Sequence, residues 1–197
     1  MNLIDSIKTI QRAVGVEADG VVGPETVNAI LKELALLDQV SPNAVPLQAL
    51  DARTLATLAT LDSKARDRFE SFTLLAKATA ATLGCEYVAI SGHRTWEEQD
   101  KLFAQRPRVT KAAGGYSNHN FGIAVDFAVF SGKIYADESN PALAERVHRA
   151  CAAHASGCGL EWGGNWKSFR DIPHYEIATG LTMEAKRLLY KQKGSVL

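Results

Sequence analysis

The chain lacks most of what would mark a secreted, membrane-spanning or nucleic-acid-binding protein. Three cysteines in 197 residues, Cys85, Cys151 and Cys158, are too few and odd in number for a disulfide framework, so buried free thiols are expected. Lys plus Arg and Asp plus Glu each total 22; with no net charge to hold a polyanion, nucleic acid is not an expected partner. No apolar run approaches the ~18 residues of a bilayer span, and the opening MNLIDSIKTIQ has neither a basic start nor an unbroken apolar core. Stable membrane insertion is therefore not expected, and synthesis in the cytoplasm without a signal peptide is. Internal repeats of about 20–50 residues are absent too.

What is present is a globular composition, 46% hydrophobic and 22% charged, enough for one domain with a small accessory module. Leu3, Ile7, Ile10 and Val14 recur at helical spacing, Asp19-Gly20 marks a turn, and Pro24 opens a second helix faced by Val27, Ile30, Leu31 and Leu34. This helical pair, residues 1–37, is too small to hold itself together well and is expected to lean on the rest of the chain. Residues 38–50, with Pro42 and Pro46, read as a linker. From Asp51 to Leu197 helices alternate with short strands without a regular βαβ rhythm. The spacing predicts strands at 85–91, 122–130 and PHYEI, and helices at 95–105, 141–155 and 182–192, the first of them capped by Thr95 with Glu98. The class is α+β: a small antiparallel sheet flanked by helices, preceded by a small all-α module.

Asp126 is the anomaly. It sits inside GIAVDFAVF, where strand alternation puts it on one face with Gly122 and Ala124, two small residues that leave room above it. A buried carboxylate is costly unless it is paired or bound to a cation. His119, seven residues earlier in the Gly/Ser/Asn-rich loop GGYSNHNFG, can fold back onto that face. His174, in FRDIPHYEI, is the third candidate, and the proline at 173 forces a turn that brings Asp171 near it. Two histidines and a carboxylate suit a catalytic zinc with an open fourth position, and a second carboxylate nearby can take a proton from water. Glu176 shares a strand face with His174 and rivals Asp171 as base, or Asp126 as ligand.

Weaker sets also occur. His148, Cys151, His154 and Cys158 form a possible metal cluster on one helix but lack paired CxxC spacing. Arg94, at a strand end in SGHRT, can face a cleft and hold a carboxylate or an oxyanion. YADESNP is acidic enough to suggest a calcium loop, though a solvated turn is the plainer reading.

SNHNFGIAVD resembles the S-x-H-x-x-G-x-A-x-D signature of the zinc peptidases that cut bacterial cell-wall peptides, which include D-alanyl-D-alanine carboxypeptidases and phage L-alanyl-D-glutamate endopeptidases. ISGHRTWEEQDKLFAQ and GLEWGGNWKSFRDIPHYEI are similar to the segments that precede and close that signature, so the resemblance covers about residues 51–180. It implies zinc held by His119, Asp126 and His174, Asp171 as base, Arg94 acting on substrate or oxyanion, and Ser117 lining the site. His93 stands where the family usually has an aromatic. IQRAVGVEADGVVGPETVNAI looks like a murein-binding module built on a three-helix repeat.

The resemblance therefore implies a modular, monomeric peptidoglycan hydrolase of the endolysin type. It would be made in a host cytoplasm, act on the cell wall after release, and cut the L-Ala–D-Glu bond of the stem peptide. The alternatives are a D-alanyl-D-alanine carboxypeptidase and a wall-binding protein without activity.

Overall fold

The computed structural model describes residues 3–38, 50–107 and 109–197. Capping side chains set most of the helix starts. Helices α1 (Leu3–Ala13) and α2 (Pro24–Asp38) form the N-terminal pair. Asp51 caps α3 (Ala52–Ala59) through the Thr54 N–H, and Asp62 caps α4 (Ser63–Thr82) through the Lys64 N–H. Strand β1 (Glu86–Ser91) follows, and then α5 (Trp96–Ala104), where Thr95 and Glu98 close the expected capping box. Strands β2 (Ala124–Ser131) and β3 (Ile134–Tyr135) lead to the short α6 (Ala136–Ser139) and to α7 (Pro141–Ala152), capped by Asn140 with Pro141 in its first turn. Strands β4 (Glu161–Trp162) and β5 (His174–Glu176) precede α8 (Met183–Lys193), which Thr182 caps.

The sheet runs β1-β2-β5-β4 with β3 added to β2, and every pairing is antiparallel, as the sequence implies. Two of its strands were not expected: β3 and β4 are two residues each, too short to leave an alternation pattern. Along β2 the alternation is strict in its effect. Val125, Phe127 and Val129 enter the main core with Tyr87 and Ala89 of β1, Tyr175 of β5 and Phe69, Phe72 and Ala76 of α4. Phe127 stacks on Tyr87 at 4.9 Å between ring centroids, and Phe72 meets Tyr175 at 4.4 Å. The residues between them, Asp126 above all, point to the other face.

Buried polar groups within this core are matched. The Tyr87 hydroxyl lies 2.7 Å from His148 Nδ1 and donates to the Tyr175 hydroxyl, and His148 Nε2 lies 2.8 Å from Asp137, whose other oxygen accepts the Val129 N–H. Asp137 thus serves as an internal acceptor on α6, and YADESNP is a helix rather than a cation loop. The weaker candidate, a metal cluster of His148, Cys151, His154 and Cys158, does not form among the described residues. His148 is bound as described, Cys151 donates to the Ala76 carbonyl, and His154 Nε2 lies 2.8 Å from the Thr79 hydroxyl. All three cysteines are free and buried, and burial pushes the thiols of Cys151 and Cys158 up to about 12 and about 11.

In the N-terminal pair, α2 packs on α4 and buries Val27 and Leu31, so the pair does lean on the rest of the chain. The apolar stripe expected of α1 is not its buried face: Leu3 and Ile10 are exposed, and the buried residue is Gln11. Its amide donates to Asp19, the Val21 carbonyl and Thr26, and accepts the Gly20 N–H, knitting the turn between the helices. A polar residue holds this turn because the hairpin is too small to do so with apolar area. Two helices of the expected three-helix module are described. The expected linker at 38–50 lies outside the described residues but for Asp38 and Leu50.

Asp51 also pairs with the buried Lys77 of α4 at 2.9 Å, tying the start of α3 to α4. Burial alone would raise its carboxyl, but the Thr54 N–H and Lys77 outweigh that and hold it at about 2 against an ordinary 3.8. A depressed carboxyl adds stability that is complete above its ordinary value and disappears as pH falls through the folded one. Asp51→Asn keeps a capping side chain and removes the charge. The melting temperature of the wild type is expected to exceed that of Asp51→Asn above pH 3.8, with the gap closing as pH falls through about 2. Thermal unfolding followed by circular dichroism between pH 7 and pH 2 measures this.

Candidate metal centre and active site

The pairing of β2 with β5 sets the site. Asp126 is the Cα partner of His174, and Ala124 is the partner of Glu176, so Asp126 and His174 stand side by side on the sheet face opposite the core. His119 approaches from a short 3-10 turn, Asn118–Phe121, immediately before the strand. His119 Nε2 and His174 Nδ1 are 3.3 Å apart and lie 3.1 and 2.9 Å from the same oxygen of Asp126, Oδ1. These three residues are the one group among the described residues that offers His, Cys, Asp or Glu donor atoms close enough to share a metal ion.

Each donor is aimed from behind. His119 Nδ1 lies 2.7 Å from the Gly92 carbonyl, and His174 Nε2 lies 2.9 Å from Glu176. Each imidazole thus has an outward nitrogen held by an acceptor and turns the other nitrogen to the shared point, the arrangement expected of metal-bound histidines. Arg94 holds the second oxygen of Asp126, leaving Oδ1 alone toward the histidines. Burial opposes ionisation of Asp126, yet His119 and His174 hold its carboxyl well below the usual range. Burial likewise opposes charge on His174, but Asp126 and Glu176 push it up to about 9. The surroundings favour positive charge at this point.

The donor set fits zinc. A tetrahedral ion with bonds of about 2.1 Å needs donors about 3.4 Å apart, close to the spacings found here. Two facing ring nitrogens and one carboxylate oxygen are also the zinc-preferred donor types.

The cleft above these atoms has a volume of about 650 Å³ and is lined by Arg94, Ser117, His119, Asp126, Asp171 and His174, with the aromatic rings of Tyr116, Trp166 and Phe169 at its walls. Every site residue expected from the sequence is thus in one place. Burial pushes the Asp171 carboxyl upward, and the nearby charge of Asp126 adds to this. Asp171 and Glu176, the two carboxylates in rivalry as base, both line the cleft. Glu176 is engaged by His174 Nε2 at 2.9 Å, whereas Asp171 reaches the cleft from a separate turn.

Glycines make these approaches possible. A Cβ on Gly163 would lie 2.5 Å from the Asp171 carbonyl and 3.2 Å from the His174 Cβ, so the GLEWGG loop can pack under the Asp171 turn only without a side chain there. The Trp162 indole donates to the Ile172 carbonyl at 2.7 Å and fixes the same turn. Gly122 has a different role from the expected one. It lies before β2 at φ +67°, and a Cβ on it would meet the Asp62 N at 2.6 Å, so it serves the contact with the α3–α4 turn rather than space above Asp126.

Several residues of the site were not singled out from sequence. Asn120 donates to the Arg94 carbonyl and accepts the N–H groups of Gly115 and Ser117, holding the His119 loop. Asn118 and Lys186 stand behind Glu176. The one signal for Lys186 is that it lies on the stripe of α8 shared with Met183, Leu189 and Tyr190, where an apolar residue is normal.

A family model described as D-alanyl-D-alanine carboxypeptidase matches residues 110–177, the segment holding His119, Asp126, Asp171 and His174. Over 110 residues the chain is 40% identical to the peptidoglycan L-alanyl-D-glutamate endopeptidase CwlK of Bacillus subtilis (strain 168), an alignment spanning 51% of this chain and 66% of that protein. The chain thus covers slightly less than two thirds of that relative's length. The fold is that of the L-Ala D-Glu endopeptidase ChiX of Serratia marcescens, with a TM-score of 0.52 and 20% identity over 71% of this chain and 97% of that one.

Three substitutions separate the parts of this candidate site. Asp126→Ala removes the oxygen shared by both histidines and is expected to cost bound zinc and activity together. Asp171→Ala is expected to keep the zinc and lose activity by about 10²–10⁴-fold, the usual worth of a proton-transferring group. Gly163→Ala, which displaces the Asp171 turn, is expected to resemble Asp171→Ala in activity and to lower the melting temperature as well. Metal content after dialysis, read by plasma mass spectrometry beside a murein turbidity assay, distinguishes them; zinc retained in full by Asp126→Ala would refute the ligand assignment.

Proposed function

We propose that the chain is a zinc metallopeptidase that hydrolyses the stem peptide of peptidoglycan at the L-Ala–D-Glu bond. The observation that carries this reading is the convergence of His119, Asp126 and His174 on one point of a cleft that also receives Asp171. The 40% identity to an L-alanyl-D-glutamate endopeptidase favours the bond.

His119, Asp126 and His174 would hold the zinc, which supplies Lewis acidity toward a peptide carbonyl and lowers the pKa of water. The remaining work falls to the protein. Asp171, kept from being too weak a base by burial and by the charge of Asp126, accepts a proton from the attacking water and returns it to the leaving amine. Arg94 is fixed by the Ser91 hydroxyl and by Asp126, which places its guanidinium charge at the cleft wall where negative charge develops on the carbonyl oxygen. Ser117 and the rings of Tyr116, Trp166 and Phe169 line the path of the peptide.

The finer role we propose is that of a bacteriolytic endolysin of phage origin, acting on the cell wall after release from the cytoplasm. The α1–α2 pair would serve as its murein tether, raising local substrate concentration. A second reading, removal of a terminal D-Ala, is favoured by the description of the family model.

Purified protein incubated with isolated sacculi decides between them by mass spectrometry of the products. Cleavage at L-Ala–D-Glu exposes a new D-Glu amine, and a D,D-carboxypeptidase removes a single Ala mass with no such amine. Activity is expected to vanish with a chelator and return with zinc. Lysis that survives complete zinc removal would refute the mechanism, and no release of any product by the zinc-loaded protein would leave a wall-binding protein only.

A further inference from the structure

A second groove opens beside the catalytic cleft, between α3 and α5, with a volume of about 570 Å³. That lies within the ~300–1,000 Å³ of ordinary ligand sites. Arg53, Thr57 and Thr60 line one side of it, and Glu98 and Lys101 of α5 the other. Ile90 and Arg94 line both the groove and the cleft, so the two are continuous past the Arg94 side chain.

Most polar groups of the groove are already engaged. The Thr57 hydroxyl donates to the Ala89 carbonyl, and the Thr60 hydroxyl donates to the Thr57 carbonyl and accepts the His93 N–H. Glu98 is turned to the start of its own helix, where it accepts the N–H and the hydroxyl of Thr95. Arg94 is held by Ser91 and Asp126. Arg53 and Lys101 differ from these. Among the described residues, the lysines and arginines in ion pairs are Lys77, Arg94, Arg149 and Arg170. Arg53 and Lys101 stand outside that set, both exposed, and reach one groove from two different helices. Arg53 also stands close to the catalytic cleft. Burial, Asp137 and Glu138 push the Tyr135 hydroxyl of the cleft wall up, and the charge of Arg53 opposes them.

The substrate of the proposed reaction is lopsided in charge. On the carbonyl side of the L-Ala–D-Glu bond lie L-Ala and a muramyl lactyl group, joined by amide and ether links that carry no charge. On the amine side lie the α-carboxylate of D-Glu, left free because the chain continues through the γ-carboxyl, and the carboxylate that ends the peptide. Two unpaired cations in a groove continuous with the cleft complement the amine side and have nothing to meet on the carbonyl side.

We propose that the groove between α3 and α5 is the subsite for the amine side of the stem peptide, where Arg53 and Lys101 hold its carboxylates and make that charge a determinant of specificity. This rests on the proposed cleavage of the L-Ala–D-Glu bond.

The test uses the full zinc-loaded chain and a soluble substrate, N-acetyl-L-Ala–γ-D-Glu–L-Lys–D-Ala, beside the same peptide with both carboxylates converted to amides. The variants are Arg53→Gln, Lys101→Gln, the two combined, and Lys133→Gln in the β2–β3 turn, outside both grooves. Product formation followed by liquid chromatography gives KM and kcat. Each single groove variant is expected to raise KM for the acid peptide by about 2- to 5-fold, the usual worth of an exposed charge pair, and the double variant by about 4- to 25-fold. The kcat is expected to hold, as it does when binding common to the ground and transition states is lost. For the amide peptide, the wild-type KM is expected to rise about as far as that of the double variant on the acid peptide, and the variants to add nothing. Lys133→Gln is expected to change neither constant.

An unchanged KM for the acid peptide in the double variant would overturn the proposal. So would an equal rise on the amide peptide, or an equal rise in Lys133→Gln, because the effect would then be one of general charge. A fall in kcat at constant KM would overturn it as well, since the two cations would then act on the chemistry and not on binding. A wild type that leaves the L-Ala–D-Glu bond whole would remove the proposed function and this inference together. A wild type that cuts the bond with a KM indifferent to Arg53, Lys101 and the charge of the peptide would remove this inference alone.

Discussion

The antiparallel register of β2 against β5 is the constraint on which the rest depends. It sets Asp126 beside His174 on one face while Val125, Phe127 and Tyr175 enter the core on the other. A slip of one residue would exchange the two faces, sending the carboxylate into the aromatic cluster and the aromatics into the cleft. The core thus holds the candidate metal ligands in place. The stacking of Phe127 on Tyr87 and of Phe72 against Tyr175 makes any other register costly, and the price of carrying an ionisable pair in the sheet is met by the packing behind it.

His119 is held by a different device. Its turn is built from polar side chains: Asn120 ties it to the Arg94 carbonyl, the Arg94 N–H donates back to the His119 carbonyl, and Gly92 accepts from the ring. The same short segment after β1 therefore supplies both the partner of His119 and the arginine on Asp126. Close approach is possible because Gly92 has no side chain, since a Cβ there would lie 2.5 Å from the Thr60 hydroxyl. Ligands from a turn, a long strand and a short strand are fixed by separate means, and each of the three has its non-coordinating atoms occupied.

Much of this was legible in the residues. Asp126 broke the apolar alternation of its strand, and such local conflicts mark functional sites. Thr95 with Glu98, and Pro141, announced helix starts that the structure contains. Other signals misled. The stripe of α1 suggested a buried apolar face, whereas Gln11 is the residue inside, because hydrogen bonds to one turn can replace apolar area in so small a hairpin. The Cys/His spacing of α7 suggested a metal, but His148 meets Tyr87 of β1 while Cys151 and His154 are bound to Ala76 and Thr79 of α4.

By itself the sequence determined the donor types, the strand that carries Asp126 and the helix caps, because these depend on side-chain chemistry and on neighbours a few residues away. The tertiary structure decided where three nearby carboxylates stand. Asp126, Asp171 and Glu176 are all carboxylates and all lie close to His174; their separate positions follow from strand register and from the turn over Gly163. Those are contacts between segments far apart in the chain, and only a folded core brings them within the few ångströms over which a carboxylate, an imidazole and an amide tell one another apart.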